Sequence, residues 1–242
     1  MVYFAIVLMG AIPYYLFLKS PKPKNTLMIF LISIIGFLMY SISPSISKNM
    51  YYDIFLLMAF ATSVLTFYLS YKTTNLMKLS YHFLFLNTVS VFILPYKVFS
   101  VYYSSVVIAS ALLYVIALKY IEIFESANFY SVKGLALTSP KLALMIRLTL
   151  MALGLYPPFS NSFSLLLGIL KGDLNKIGYL VIGWIFFANF FMAFRIMKNT
   201  IFGAPNENVI YKDISGKSAL AMTIVLLMLT LLGLSSFLEA LI

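Results

Sequence analysis

Long apolar runs, separated by short polar or proline-containing connections, make up almost the whole of this 242-residue chain. Most of these runs have the roughly 20 residues that an α-helix needs to cross the hydrocarbon core of a bilayer. We therefore expect an all-α, polytopic transmembrane protein with about eight or nine helices, folded as a single membrane domain over residues 1–242. The predicted segments are 1–18, 26–42, 53–72, 79–94, 98–121, 140–155, 159–170, 177–194 and 218–241. The first has no basic flank and no small-residue cleavage site, which indicates a first span and not a removable signal peptide.

The seventh segment is too short to cross a bilayer alone, and it follows two consecutive prolines, Pro157 and Pro158. About 12 residues at a rise of 1.5 Å each cover much less than the thickness of the hydrocarbon core. We expect either a half-helix or one part of a proline-broken helix. The polar run 160–164, which includes Asn161 and Ser164, can pair the backbone carbonyls that the prolines leave free, or line water. This is the most specific site-like feature of the chain.

The composition agrees with a membrane location. Hydrophobic residues make up 62% of the chain and charged residues 10%, with a mean hydropathy of +0.99, whereas soluble domains carry about 25% charged residues. Seventeen Lys and Arg stand against seven Asp and Glu, a net charge of +10. In so apolar a chain this excess indicates loops beside an anionic lipid leaflet, and we expect no binding of nucleic acid.

The chain offers few groups for cofactor chemistry. It has no cysteine and a single histidine, His82, which excludes disulfides, thiolate chemistry, iron–sulfur ligation and multi-histidine metal or haem sites within it. It also lacks a nucleophile–base pair and a carboxylate cluster of the kind that a lipid-modifying enzyme needs. We expect no catalytic residue, cofactor or metal in this chain, and any iron–sulfur cluster or other redox centre must lie on a partner.

The distribution of basic residues predicts the membrane orientation only weakly. If all nine segments cross the membrane, lysines and arginines are in modest excess on the side that holds Lys24 and Lys72, and such an excess marks the cytoplasmic side. If the short seventh segment is re-entrant, every later segment is inverted.

Few charged side chains are predicted at membrane depth, where each costs about 2.5 to 3.5 kcal/mol without a partner or a watery cavity. Arg147, seven residues into the sixth segment, is either a snorkelling interfacial arginine or part of an internal hydrophilic path. Lys119 and Glu122 can pair on one helix face, and an interfacial salt bridge is favoured over a proton relay. His82 is assigned to an interfacial aromatic belt, and Lys171 to a solvated turn or to an ion site at a half-helix end.

A series of short motifs runs through residues 106–202. The chain has Ala-Leu-Leu-Tyr at 111–114, Gly-Leu at 134–135, Ser-Pro-Lys-Leu-Ala-Leu at 139–144 and Gly-Leu-Tyr-Pro-Pro-Phe-Ser-Asn-Ser-Phe-Ser at 154–164, and the next span ends near Arg195. In order and spacing these motifs resemble the "HALFKALLF" and "GL…PKLAL…GLPPFSGFFSK" stretches and the following helix of one family. It comprises the antiporter-like membrane subunits of respiratory complex I, of energy-converting membrane-bound hydrogenases and of Mrp antiporters. The chain resembles a shortened, divergent member.

The resemblance implies five-helix units, each with a discontinuous helix at mid-membrane, and a water-linked chain of lysine, histidine and glutamate residues that moves protons. Residues 106–202 would correspond to the C-terminal antiporter-like unit. At the matched positions, however, Ser110 and Leu165 replace the family's lysines, and Val106 replaces its histidine. These side chains cannot bind and release a proton near neutral pH. The cations that remain as candidate substitutes are Lys119, Arg147 and Lys171.

From this resemblance we expect a membrane-arm subunit of a complex I-like or membrane-bound hydrogenase-like respiratory complex. It would contribute to proton or sodium translocation or, given the missing lysines, mainly to the scaffold, with lipids and other membrane subunits, including antiporter-like ones, as partners. The candidate ion path consists of Lys119, Glu122, Arg147, Asn161, Ser164 and Lys171, beside the helix break at Pro157 and Pro158. The alternative is a self-contained secondary ion transporter or antiporter with its site at the same break. Either would be a multi-pass protein of a prokaryotic cell membrane.

Overall fold

The computed structural model describes residues 1–18, 22–44, 46, 50–171 and 174–241, apart from the side chains of 171, 236 and 239–241. Helix α1 (Val2–Ile6) continues as a π-helical turn, Val7–Ala11, and is followed by a 3₁₀ turn, Tyr14–Phe17. The other helices are α2 (Pro23–Ile42), α3 (Met50–Lys72), α4 (Leu76–Asn87, continued by a 3₁₀ turn, Thr88–Phe92), α5 (Tyr96–Phe124), α6 (Leu135–Thr138), α7 (Pro140–Leu153), α8 (Ser160–Lys171), α9 (Lys176–Thr200) and α10 (Gly216–Leu241). Among the described residues the β-type pairing is limited to one isolated bridge, between Asn75 and Asn128.

Five of the described helices are long and apolar enough to cross a membrane: α2, α3, α5, α9 and α10. The prediction of an all-α fold compatible with an integral membrane protein is confirmed to this extent. The predicted count of eight or nine spanning helices is not confirmed, because the remaining apolar segments form helices that are shorter than a bilayer crossing requires. Helices α1, α4, α7 and α8 each have fewer than 18 residues. The first helix is interrupted at Gly10, α4 passes into a 3₁₀ turn, and the break at Pro157 and Pro158 separates α7 from α8.

Helix α5 lies at the centre of the bundle and contacts most of the other helices. Helix α2 runs antiparallel to it. The hydroxyl of Tyr114 donates a hydrogen bond to the carbonyl of Pro23 at 3.0 Å, and near the other end of the pair the rings of Tyr40 and Phe99 meet at a centroid distance of 5.5 Å. Two clusters of buried apolar side chains fill the bundle around α5. Exposed residues are also mostly apolar, as expected where lipid surrounds a helix bundle.

The first helix is interrupted at Gly10, inside the bundle. Gly10 has a φ of 129°, and a Cβ at this position would lie 2.9 Å from the ring of Phe85. The carbonyl of Met9 accepts hydrogen bonds from the hydroxyls of Thr88 at 3.1 Å and Tyr103 at 2.9 Å. The interruption leaves the carbonyl of Met9 without its partner in the helix, and Thr88, after α4, and Tyr103, in α5, supply hydrogen bonds instead.

Helices α7 and α8 follow one another as two halves of one interrupted path. Helix α7 begins where the amide of Leu142 donates to the carboxylate of Asp213 at 3.0 Å. Helix α8 begins about a third of the way along α5, where the hydroxyls of Ser105 and Ser160 are 2.8 Å apart, and Gly168 lies against the start of α5. With 14 and 12 residues, the two helices together extend about 39 Å at 1.5 Å per residue, enough for one crossing but not for two. The short seventh segment is therefore the second half of a proline-broken helix.

The connections 73–75, 125–134 and 201–215 meet at one end of the bundle, which we call the basic end. Their contacts include a hydrogen bond from the amide of Phe129 to the carbonyl of Thr74 at 3.0 Å and one from the hydroxyl of Tyr211 to the carbonyl of Lys133 at 2.8 Å. The basic residues at this end are Lys22, Lys24, Lys72, Lys78, Lys119, Lys133, Lys141, Arg195, Lys198, Lys212 and Lys217. Among the described residues, those at the opposite end are Lys97, Lys171 and Lys176. The excess of basic residues at the basic end is larger than the modest excess predicted. Because α7 and α8 together form one path, most of the basic residues after α8 lie at the same end as those before α7.

Candidate functional site

The break between α7 and α8, which the sequence singled out, is part of the packed interior. Gly154 ends α7, Leu155 has a positive φ of 63°, and the peptide bond between Pro157 and Pro158 is cis. A Cβ on Gly154 would lie 3.0 Å from the Cβ of Ala193 in α9. Leu155 is buried. The chain therefore leaves the helical path while it stays in close contact with a neighbouring helix.

Asn161, in the first turn of α8, links the two halves of the broken helix. Its Nδ2 atom donates a hydrogen bond to the carbonyl of Ala152, near the end of α7, at 2.5 Å. This bond satisfies one of the carbonyls that the end of α7 leaves free, as predicted for the polar run. The Oδ1 atom of Asn161 is buried and has no hydrogen-bond partner among the described residues.

Buried side-chain oxygens without a partner are concentrated on the three helices that meet at the break. Within the described residues they belong to Thr26, Ser110, Thr149, Asn161 and Ser164, of which all but Thr26 lie on α5, α7 or α8. A buried oxygen that stays unpaired costs about 1–3 kcal/mol, and buried waters commonly pair such groups. The break therefore offers binding positions for water or another neutral hydrogen-bond donor.

Helix α10 covers the break from one side. A Cβ on Gly233 would lie 2.5 Å from the carbonyl oxygen of Pro158 and 2.8 Å from the amide nitrogen of Ser160. The backbone of α10 thus rests directly on the backbone of the break, a contact that only glycine permits. From the side of α5, the hydroxyl of Ser105 meets that of Ser160. The broken helix is enclosed between these two helices.

The two positions matched to family lysines are both buried. Leu165 is 3% exposed and belongs to an apolar cluster. It also lines an apolar cavity of about 370 Å³ beside Tyr156, Phe186 and Phe190. Ser110 is fully buried on α5. Neither position holds an ionisable group, and the surroundings of Leu165 are hydrocarbon.

The charged candidates lie apart from the break. Arg147 is exposed on the outer face of α7, so it does not line an internal path of this chain. The Nζ atom of Lys119 is 2.6 Å from Oε2 of Glu122 in an exposed pair, which is the predicted salt bridge. Lys171 ends α8, and its side chain lies outside the described residues. In the part of the chain that the structure describes, no lysine, arginine, aspartate or glutamate side chain is buried.

His82, assigned from the sequence to an interfacial aromatic belt, contacts the rings of Tyr15 and Tyr81 but is buried inside the bundle and not exposed on its outer surface. Its Nδ1 atom lies 2.7 Å from the Oγ atom of Ser70 in α3. On the same residue, the carbonyl of Ser70 accepts a hydrogen bond from Nη1 of Arg195 in α9 at 2.6 Å. The physical reason for the burial of His82 is that Ser70 of α3 supplies a hydrogen-bond partner inside the bundle, which the sequence pattern did not single out.

The most extensive polar contact between helices was not predicted. The side-chain amides of Asn87 (α4) and Asn189 (α9) pair reciprocally, with Nδ2 to Oδ1 distances of 2.9 and 2.8 Å. The hydroxyl of Tyr102 in α5 donates to Oδ1 of Asn87 at 2.5 Å, and all three side chains are buried. A lone asparagine in the middle of each of two apolar segments was the available signal, because an unpaired amide at that depth is costly.

The groups at the break can bind water or neutral hydrogen-bond donors, and none of them carries a charge. Within the described ranges, no group of three or more His, Asp or Glu side chains is placed to hold a metal ion. No known family model and no curated protein sequence matches this chain. A functional assignment therefore depends on the residues and contacts of the chain itself.

Proposed function

We propose that the chain is an integral protein of a prokaryotic cell membrane that crosses the bilayer by its five long helices and by three interrupted paths. These paths are residues 2–17, α4 with its 3₁₀ turn, and α7 with α8. Broken backbone is tolerated at membrane depth where protein groups pair it, and the bonds from Thr88 and Tyr103 to Met9 and from Asn161 to Ala152 do so. The positive-inside rule then directs the basic end to the cytoplasm.

We propose further that the chain is a membrane-arm subunit of a complex I-like or hydrogenase-like respiratory complex, with mainly a scaffold role. The resemblance over residues 106–202 supports the family, and the interrupted path of α7 and α8 agrees with the discontinuous helix that this family implies. The observation that carries the scaffold role is the absence of buried Lys, Arg, Asp and Glu side chains from the described residues. A proton path through charged side chains needs such groups.

A self-contained ion transporter is the alternative, and one observation favours it. The unpaired oxygens of Ser110, Thr149, Asn161 and Ser164 lie on the helices around a break in a membrane helix. Oxygen atoms at such breaks coordinate ions in many secondary transporters. Neutral oxygens can hold Na⁺ without a lysine, so this arrangement suits a cation site better than a proton relay.

Purification of the native assembly tests the subunit proposal. The chain, tagged in its own host, is extracted with a mild detergent and separated by size, and the co-migrating proteins are identified by mass spectrometry. We expect it to migrate with iron–sulfur proteins and antiporter-like subunits. Migration of the chain alone, under conditions that keep other respiratory complexes intact, would contradict the proposal.

Ion flux in liposomes separates the scaffold from the transporter. We expect no H⁺ or Na⁺ flux above that of empty liposomes from the purified chain. Flux that is lost in Asn161→Ala but retained in Ser235→Ala would establish the transporter instead. Ser235 is a suitable control because its exposed hydroxyl bonds only to its own helix, at the carbonyl of Leu232.

A further inference from the structure

A polar cavity of about 380 Å³ opens at the basic end of the bundle, between the 3₁₀ turn Tyr14–Phe17, the end of α3 and the start of α4. Its cationic and hydroxyl groups come from Lys72, Lys78, Thr73 and Tyr81. The other lining residues are Tyr15, Leu16, Leu18, Leu69 and His82. We propose that this cavity binds the headgroup of an anionic lipid, with its phosphate at the two lysines. The proposal rests on the membrane location and not on a role in a respiratory complex.

The two lysines have no competing anion within the described residues. The one ion pair described joins Lys119 to Glu122, so neither Lys72 nor Lys78 is neutralised by a carboxylate of the described chain. The Nζ atom of Lys72 lies 4.3 Å from the centroid of the Tyr68 ring, a cation–π contact that restrains the side chain. Two lysines without a carboxylate partner in the described chain line one cavity, so they attract a phosphate and favour anionic over zwitterionic lipids.

His82 provides a hydrogen-bonding group in the wall of the same cavity. Its Nδ1 atom lies 2.7 Å from the Oγ atom of Ser70, and either atom can be the donor in that contact. The Nε2 atom of the neutral ring takes the role opposite to that of Nδ1, as acceptor or as donor. A hydroxyl of the ligand can pair with Nε2 in both cases, because a hydroxyl both donates and accepts. A phosphate next to a free hydroxyl, as in a glycerol headgroup, matches both the lysines and the histidine.

The apolar rim favours a lipid over free phosphate. Leu16 lines the cavity and is 51% exposed, and the adjacent Phe17 is 82% exposed. At the end of a membrane bundle, such side chains lie at the level where acyl chains meet headgroups. The cavity is also at the basic end, which the positive-inside rule assigns to the cytoplasmic leaflet with its anionic lipids. An amphiphilic ligand can use the lysines and the rim together, whereas inorganic phosphate uses only the lysines.

Native mass spectrometry of the purified full chain tests the proposal. The chain is titrated with phosphatidylglycerol, with phosphatidylcholine and with inorganic phosphate. We compare the wild type with the double variant Lys72→Gln/Lys78→Gln. The control is Lys212→Gln/Lys217→Gln, which removes the same charge from the same end but away from the cavity. All the substitutions are at partly or fully exposed positions, and equal elution volumes in gel filtration verify the fold.

We expect the wild type to bind phosphatidylglycerol in preference to phosphatidylcholine. We expect the cavity variant to bind phosphatidylglycerol on the order of 30-fold more weakly. Each lysine contributes about fivefold to the affinity, and the two factors multiply. The control pair should change the affinity by less than about threefold. An equal loss in both pairs would show that general surface charge is responsible and would overturn the site. Binding of inorganic phosphate that displaces phosphatidylglycerol at equal concentration would overturn the assignment to a lipid.

A third lipid tests the part that we assign to His82. Phosphatidylmethanol has the same phosphodiester charge as phosphatidylglycerol but lacks the headgroup hydroxyls. We expect the wild type to prefer phosphatidylglycerol several-fold, and His82→Phe to bind both lipids alike. Equal binding of the two lipids by the wild type would refute the histidine contact. Failure of all lipid binding would leave the co-purification result with respiratory subunits unaffected, so the two proposals fail separately.

Discussion

Single polar side chains in the apolar interior specify how the helices of this bundle meet. Asn87, Asn189 and Tyr102 join three helices through side-chain hydrogen bonds at full burial. In lipid, apolar contacts alone provide little preference for one helix partner, because acyl chains are as apolar as leucine. The reciprocal amide pair therefore fixes the contact between α4 and α9 in a way that leucines could not.

Replacing both asparagines should cost less than the sum of the two single replacements. In Asn189→Leu the amide of Asn87 loses its partner in α9, and we expect the free energy of unfolding to fall by about 1–2 kcal/mol. In the double variant Asn87→Leu/Asn189→Leu, the free energy of unfolding should fall by less than the sum of the decreases in the two single variants. Trp184, the single tryptophan, bonds to Ser63 of α3 at 2.9 Å, so its fluorescence can follow unfolding in detergent.

A matched control is available on the same helix. The side chain of Asn199 donates to the carbonyl of Arg195 one turn earlier in α9, at 2.7 Å, and we expect Asn199→Leu to change the free energy of unfolding by less than about 0.5 kcal/mol. Strictly additive effects of the two substitutions at Asn87 and Asn189 would show that the amides do not stabilise one another.

At the scale of elements, the sequence predicts where apolar helices lie better than where their backbones break. Prolines marked the break between α7 and α8, and the structure has it at Pro157 and Pro158. Gly10 and Pro13 lie at the interruption of the first helix, although no break was predicted there. No proline marks the change from α-helix to 3₁₀ turn after Asn87. Those two breaks pack against each other through Thr88 and Met9, a tertiary contact that no local pattern encodes. Likewise, the partners of His82 and Asn161 are set by packing between helices.

The contact between α10 and the break gives an element-scale prediction. Gly233→Leu should push α10 away from the carbonyl of Pro158 and the amide of Ser160, because its Cβ has no room there. We expect the free energy of unfolding to fall by about 1–3 kcal/mol, the usual cost of overpacking. Gly183→Leu in α9 is the control, since a Cβ at Gly183 meets nothing within 4 Å.

Thermal unfolding of both glycine variants in the same detergent provides the measurement. A midpoint for Gly233→Leu equal to that of Gly183→Leu would show that α10 does not rest on the break. We expect the midpoint of Gly233→Ala to lie between those of the wild type and Gly233→Leu. The methyl group of alanine still meets the backbone at 2.5 Å, but it is smaller than the leucine side chain.

For the whole molecule, the interruption between α7 and α8 decides the membrane topology. As one crossing, it brings the described basic residues of both halves of the chain to one end, apart from Arg147 within α7 and from Lys97, Lys171 and Lys176, which it leaves at the other end. As two crossings, it would divide the positive charge between both sides. The first arrangement fits the positive-inside rule better than the second, and it is the topology that we propose.

Cysteine labelling can distinguish the two topologies directly, because the chain has no native cysteine. Lys133 and Lys176 lie before α7 and after α8, and both are exposed. With one crossing between them, a membrane-impermeant maleimide should label Lys176→Cys in intact cells but label Lys133→Cys only after permeabilisation. Lys97→Cys and Asn208→Cys, at exposed positions of the opposite and basic ends, should behave like Lys176→Cys and Lys133→Cys respectively. Labelling of Lys133→Cys and Lys176→Cys from the same side would mean that the broken helix does not cross the membrane. The orientation of α9 and α10 would then be reversed.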